Sequence, residues 1–174
     1  GIMSILQIFR YKQWGHMIAL IICSATIVLG ATLPGPFCLE KLNFEPEVYY
    51  GVANYLQAQN KLDGAVANYV KALELKSDYW EAKNNLAATF LRQGKIDEAV
   101  ARYDEAVRLR PALASGHKGL ADAFVRKGNI TEAIKQYEQA ISLDPNLWGA
   151  HKNLADILNE QGKINQAVKH YRDA

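Results

Sequence analysis

Few side chains in this sequence are of the kinds that do chemistry in groups. The histidines are His16, His117, His151 and His170, and the cysteines are Cys23 and Cys38. His117 and His151 draw attention because they stand 34 residues apart, at the same place in two similar stretches. Two imidazoles facing each other could begin a zinc site, but a metal needs further Cys, His, Asp or Glu ligands nearby. The reading adopted is that each takes the place of a half-buried aromatic, with no metal bound. No cysteine lies beyond residue 38, so most of the chain has neither a disulfide framework nor a thiolate site. No Gly-rich phosphate loop, H-E-x-x-H helix or nucleophile elbow is present. The chain is therefore expected to have no catalytic residues and no cofactor. "NIT" at Asn129–Thr131 matches a glycosylation acceptor, which matters only if this part of the chain is exported.

With no reaction to assign, function rests on the elements and the surfaces they present. The chain has 174 residues and a formal net charge of +2. Arg10 and Lys12 are the only charged side chains before Glu40, and basic and acidic residues balance from there on. A nucleic-acid partner normally needs a basic face, so none is expected.

Residues 13–39 contain no Asp, Glu, Lys or Arg. As a helix, the apolar run Trp14–Leu33 would span about 30 Å, the thickness of a bilayer's hydrocarbon core. Pro34 and Pro36 stop it. Tyr11 and Trp14 sit beside Arg10 and Lys12, where interfacial aromatics belong. A single-pass membrane anchor over 14–33 is the reading that fits this length, flanked by residues 1–13 and a linker over 34–45. Two alternatives stay open: a cleaved signal peptide, which lacks an A-x-A site here, and an apolar helix buried among copies of the chain. The flanking charges lean toward an inside N-terminus, which places the rest of the chain on the outer or lumenal side.

From residue 46 the sequence repeats with a period of 34: 46–79, 80–113, 114–147 and a partial copy, 148–174. Each copy reads as two helices joined by a turn at Asn60, Gly94, Gly128 or Gly162, with Pro111 and Pro145 closing the middle two. The eighth place is Ala53, Ala87, Ala121 and Ala155; the twentieth is Ala65, Ala99, Ala133 and Ala167; the twenty-seventh is Ala72, Ala106, Ala140 and Ala174. Alanine at all of them means helices that approach closely. Large residues fill the layer beside them: Leu56, Phe90, Phe124 and Leu158 at the eleventh place, with Tyr69, Tyr103, Tyr137 and Tyr171 at the twenty-fourth. One copy cannot bury such faces alone, but stacked neighbours can.

These features resemble the tetratricopeptide repeat family over residues 46–174. The expected fold is all-α: an α-solenoid of helix-turn-helix repeats preceded by one apolar N-terminal helix. The resemblance implies a concave groove, lined by the first helix of each repeat, that takes an extended peptide or partner helix. Carried over place by place, the lining is Glu47, Tyr50 and Asn54 from the first copy and Glu81, Asn84, Ala88, Leu91 and Arg92 from the second. The third copy adds Lys118, Asp122, Val125 and Arg126, and the fourth Lys152 and Asp156. Members that clamp the carboxylates of Hsp-type chaperone tails need Lys, Lys and Arg where this chain has Tyr50, Ser115 and Gly119. Only Asn54 and Asn85 match that clamp, so it is not expected here.

The expected function is a membrane-anchored scaffold or adaptor for a protein partner, without enzymatic activity. Its layout, and its layout alone, is similar to membrane-bound photosystem I assembly factors. The alternative is a self-assembling subunit, a homo-oligomer or filament. It would use the apolar N-terminal helix and the last repeat, which has no polar capping helix after it.

Overall fold

The computed structural model of the chain describes residues 45–174. The anchor expected over 14–33, with its flank and most of the linker, lies outside the described residues. Within them, no helix is long and apolar enough to cross a membrane.

Among the described residues, eight helices run in antiparallel pairs: α1 (Pro46–Ala58), α2 (Leu62–Leu75), α3 (Trp80–Arg92), α4 (Ile96–Leu109), α5 (Ala114–Lys127), α6 (Ile130–Leu143), α7 (Trp148–Glu160) and α8 (Ile164–Asp173). Described residues contain no strand. Each helix packs on the next, and the first helices of neighbouring repeats also touch, α1 on α3 and α3 on α5. The odd-numbered helices therefore form a continuous inner row.

The turn inside each repeat has a mechanical explanation. Asn60, Gly94, Gly128 and Gly162 have φ of 59°, 78°, 82° and 75°, the left-handed conformation that ends a helix. The next residue's N–H then bonds back across the turn: Lys61 to Leu56 O, Lys95 to Phe90 O, Asn129 to Phe124 O and Lys163 to Leu158 O, each at 2.9 Å. These satisfy helix-end carbonyls that would otherwise be orphaned. Asn60 does what glycine does elsewhere because asparagine tolerates this conformation.

The alanine places behave as close-approach points. Eleven of the twelve are buried, ten of them at 0% exposure, while Ala174 is exposed at the outer side of α8. Tyr69, Tyr103 and Tyr137 are buried as well. Tyr171, at the same place in the last copy, is 43% exposed because no described element covers α8. Phe90 and Phe124 are only half-buried, each lying against two core clusters at a repeat junction.

Neighbouring repeats are also tied by polar contacts in a fixed register. Arg92 donates to Gln57 O and Asn60 Oδ1, and Arg126 donates to Leu91 O. One place further on, Gln93 donates to Asp63 and Lys127 to Asp97. Each contact joins the end of a first helix to the repeat before it.

Candidate functional site

The inner row carries a ladder of hydrogen bonds. In the first repeat the Tyr69 hydroxyl donates to Asn54 Oδ1 at 2.6 Å. From the second, Asn85 Nδ2 donates to Asn54 Oδ1 at 2.9 Å and to the Tyr50 hydroxyl at 3.1 Å. The same construction recurs two repeats later, where Tyr137 donates to Asp122 and Asn153 donates to Asp122 Oδ1. In the last repeat Tyr171 donates to Asp156 at 2.7 Å.

The ladder breaks in the middle. In the second repeat the ninth place is Ala88, and the following repeat offers Gly119 where Asn85 and Asn153 stand elsewhere. Tyr103 thus lacks the ninth-place and sixth-place partners that Tyr69 and Tyr137 have. Among described residues, the only buried side-chain polar atoms lacking a partner are Asn84 Oδ1 and Gln93 Oε1. The Tyr103 hydroxyl makes no hydrogen bond, and the residue is buried. Burial, followed by the charge of Asp122, raises its pKa well above the ordinary 10.0. It remains a neutral O–H donor at any physiological pH. On the same row Asn84 Oδ1 is buried and accepts no hydrogen bond. At this break the row has only the methyl of half-buried Ala88, while Gly119 is buried beneath the Tyr103 ring.

The other expected groove residues divide into two groups. Tyr50 packs against Tyr69 and Tyr79, with ring centroids 6.0 and 5.1 Å away. Asn54, Glu81, Ala88 and Leu91 lie half-buried on the same row, and Val125 packs partly into the core. Arg92 and Arg126 are turned onto the preceding repeat, as described above, and hold the stack together. Glu47 lies 3.8 Å from Lys76, Lys118 is 2.8 Å from Asp122 and Lys152 is 2.7 Å from Asp156. The charges thus neutralise one another locally, and the row has no cationic clamp. Asn129 is exposed at the turn before α6.

The structure does not bring His117 and His151 together. Each points within its own repeat, His117 to Gln136 at 2.7 Å and His151 to His170 at 3.1 Å. The sequence reading missed His170 and Asp173, and the signal for them was the repeat register. The fourth, twenty-third and twenty-sixth places of a repeat face each other across the helix pair. In the second repeat those places hold Lys83, Arg102 and Glu105, an ion-paired trio. In the fourth they hold His151, His170 and Asp173.

A family profile described as "TPR repeat" matches residues 53–94, 87–128 and 121–158. The chain belongs to the tetratricopeptide repeat (TPR) family. No curated protein sequence matches it. Solved TPR structures share its fold. A crystal structure of MamA superposes with a TM-score of 0.73 at 19% identity, over 78% of this chain and 79% of that one. PilF of Pseudomonas aeruginosa gives 0.72 at 22% identity, over 78% and 62%. The first TPR domain of Spaghetti (RPAP3), solved with the HSP90 peptide SRMEEVD, gives 0.66 at 24% identity, over 68% and 94%. The family is one of protein-interaction scaffolds, and no catalytic family matches this TPR chain.

Proposed function

We propose that this TPR protein holds an extended peptide segment of a partner in the inner row of its first helices, centred between the second and third repeats. The break in the ladder carries this reading. At Ala88 the row carries only a methyl, and the Tyr103 hydroxyl, which makes no hydrogen bond, is the donor left at the break. An extended chain offers a carbonyl to such a donor whatever its side chains. The RPAP3 structure supports peptide binding by this fold, since that TPR domain carries a bound peptide. The acidic tail in that structure is the wrong ligand here, because Lys118 and Lys152 are already paired with Asp122 and Asp156.

A displayed peptide library provides the test. Selected peptides should perturb the amide resonances of Asn84, Ala88 and Leu91, and Ala88→Arg should weaken them about tenfold or more by blocking the break. Peptides that bind with unchanged affinity to Ala88→Arg would rule this site out. SRMEEVD should not bind.

The apolar run over 14–33 is proposed to tether the scaffold to a membrane, with the TPR repeats on the outer or lumenal side and an assembly role following from that position. The full chain should then resist carbonate extraction, and release by carbonate would exclude the anchor. A second reading, self-association, is favoured by one observation. Ile164, Val168 and Tyr171 lie along one side of α8 and are 52%, 41% and 43% exposed. Light scattering that shows mass rising with concentration, abolished by Ile164→Glu, would support it.

A further inference from the structure

We infer that His151, His170 and Asp173 form a binding site for a divalent transition metal of the zinc class, clamping α8 to α7. One ligand atom from each residue lies within 4.8 Å of the other two. The two histidines approach through their Nδ1 atoms, 3.1 Å apart. Two nitrogens at Zn–N distances of about 2.0–2.1 Å with a tetrahedral angle between them are separated by about 3.3 Å. The imidazoles are thus already close to the spacing that a shared metal imposes.

The proton positions agree with ligation. His151 Nε2 lies 3.0 Å from Pro145 O, a carbonyl that can only accept. That nitrogen therefore carries the proton, and Nδ1 of the neutral ring presents a lone pair to His170. A ligand histidine whose other nitrogen donates to a backbone carbonyl is the usual arrangement around protein-bound zinc. When a metal enters, the His170 proton that bridges the two rings moves to Nε2, so no redox step or co-reactant is needed. Asp173 is exposed and supplies an anionic oxygen on the open side, where water can complete four-coordination. Imidazole with carboxylate suits zinc, cobalt, nickel or copper over calcium or magnesium.

Comparison across repeats separates this cluster from an ordinary packing feature. The third repeat holds His117 in the same position, with its Nε2 3.0 Å from Pro111 O. There Gln136 and Gln139 stand in place of His170 and Asp173. The His117–Gln136 pair shows that glutamine satisfies the histidine at 2.7 Å without disturbing the fold. His170→Gln is accordingly a substitution that removes a ligand while preserving the hydrogen bond.

The test uses the full chain stripped with chelator and titrated with Co²⁺ and then Zn²⁺. The expected result is about one Co²⁺ per chain with visible absorption of tetrahedral intensity, displaced by Zn²⁺. Added Zn²⁺ should also raise the thermal midpoint. His170→Gln should keep the helical circular dichroism and bind about tenfold or more weakly. The double substitution Gln136→His and Gln139→Asp should create a second site in the third repeat. No uptake of Co²⁺ by the wild type would overturn the proposal, and so would equal uptake by His170→Gln. A hydrogen-bonded histidine pair that packs α8 without binding metal would then remain.

Discussion

Tyr137→Ala should cost about 3–5 kcal/mol, the range for removing a large buried ring, and lower the thermal midpoint by about 3–5 °C for each kcal/mol. Tyr137 is 1% exposed and lies in the core shared by the third and fourth repeats. Its ring shares the core with the fully buried Ala121, Ala133, Ala140 and Ala155, whose methyl groups are too short to refill the space it would leave. Tyr137→Phe separates the ring from its hydroxyl. Asp122 would lose one donor but keep Lys118 and Asn153, so the expected cost is about 1–2 kcal/mol. Chemical denaturation followed by circular dichroism measures both.

The same pair of variants has a pH signature. Burial, reinforced by the Asp122 carboxylate, raises the Tyr137 pKa far above 10.0. In the unfolded chain the hydroxyl ionises near that ordinary value. A raised folded-state pKa means its contribution is complete below pH 10 and is lost as pH rises above it. Tyr137→Phe should therefore flatten the alkaline loss of stability and leave the slope at neutral pH unchanged. An unaltered alkaline slope would contradict this account of Tyr137.

Gly119→Ala should destabilise the protein by about 2 kcal/mol, whereas Gly51→Ala should stabilise it by about 0.5–1 kcal/mol. Both glycines lie inside first helices, at Gly51 in α1 and Gly119 in α5. Helix propensity alone favours alanine at each by about 1 kcal/mol. Surroundings decide the sign. A Cβ on Gly51 meets nothing within 4 Å, so the propensity gain is realised. A Cβ on Gly119 would sit 2.4 Å from Tyr103 Cε1 and 2.5 Å from Cζ. The Tyr103 ring is buried and stiff, and moving it is an overpacking cost at the upper end of about 1–3 kcal/mol. That exceeds the propensity gain. Tyr103→Leu should make Gly119→Ala tolerable, since the shorter side chain leaves the space free. Equal stabilisation by Gly51→Ala and Gly119→Ala would show that α5 does not sit on Tyr103 as described. Because Gly119 seats the Tyr103 ring, Gly119→Ala is also expected to shift the Tyr103 hydroxyl and weaken peptide binding beyond its effect on folding.

Much of the architecture could be read without coordinates because the repeat states it four times. A period of 34 with alanine at three places cannot be accommodated by a single helix pair, and stacking is the arrangement that buries those faces. The turns were legible for a similar reason. Only glycine, or asparagine at a small cost, adopts φ near 60–80°, so Asn60, Gly94, Gly128 and Gly162 marked helix ends.

The inner-row residues were less legible, because a place in a repeat says which way a side chain leaves its helix but not what it meets. Arg92 and Arg126 occupy expected groove places, yet carbonyls of the preceding repeat lie within reach and take their guanidinium groups. Lys118 and Asp122 are spaced to pair, and they do.

The sequence by itself determined the family, the helix pairs, the turns and the close-packed alanine rows. Each of these depends on chain-local conformation or on a residue type repeated in register. Tertiary structure alone decided that Tyr103 lies over Gly119 with its hydroxyl unpaired, and that His151 meets His170 and Asp173. Those encounters depend on the distance between side chains of different helices. A few tenths of an ångström there separate a hydrogen bond or a ligand set from a mere neighbour, and no residue pattern along one strand of sequence encodes that distance.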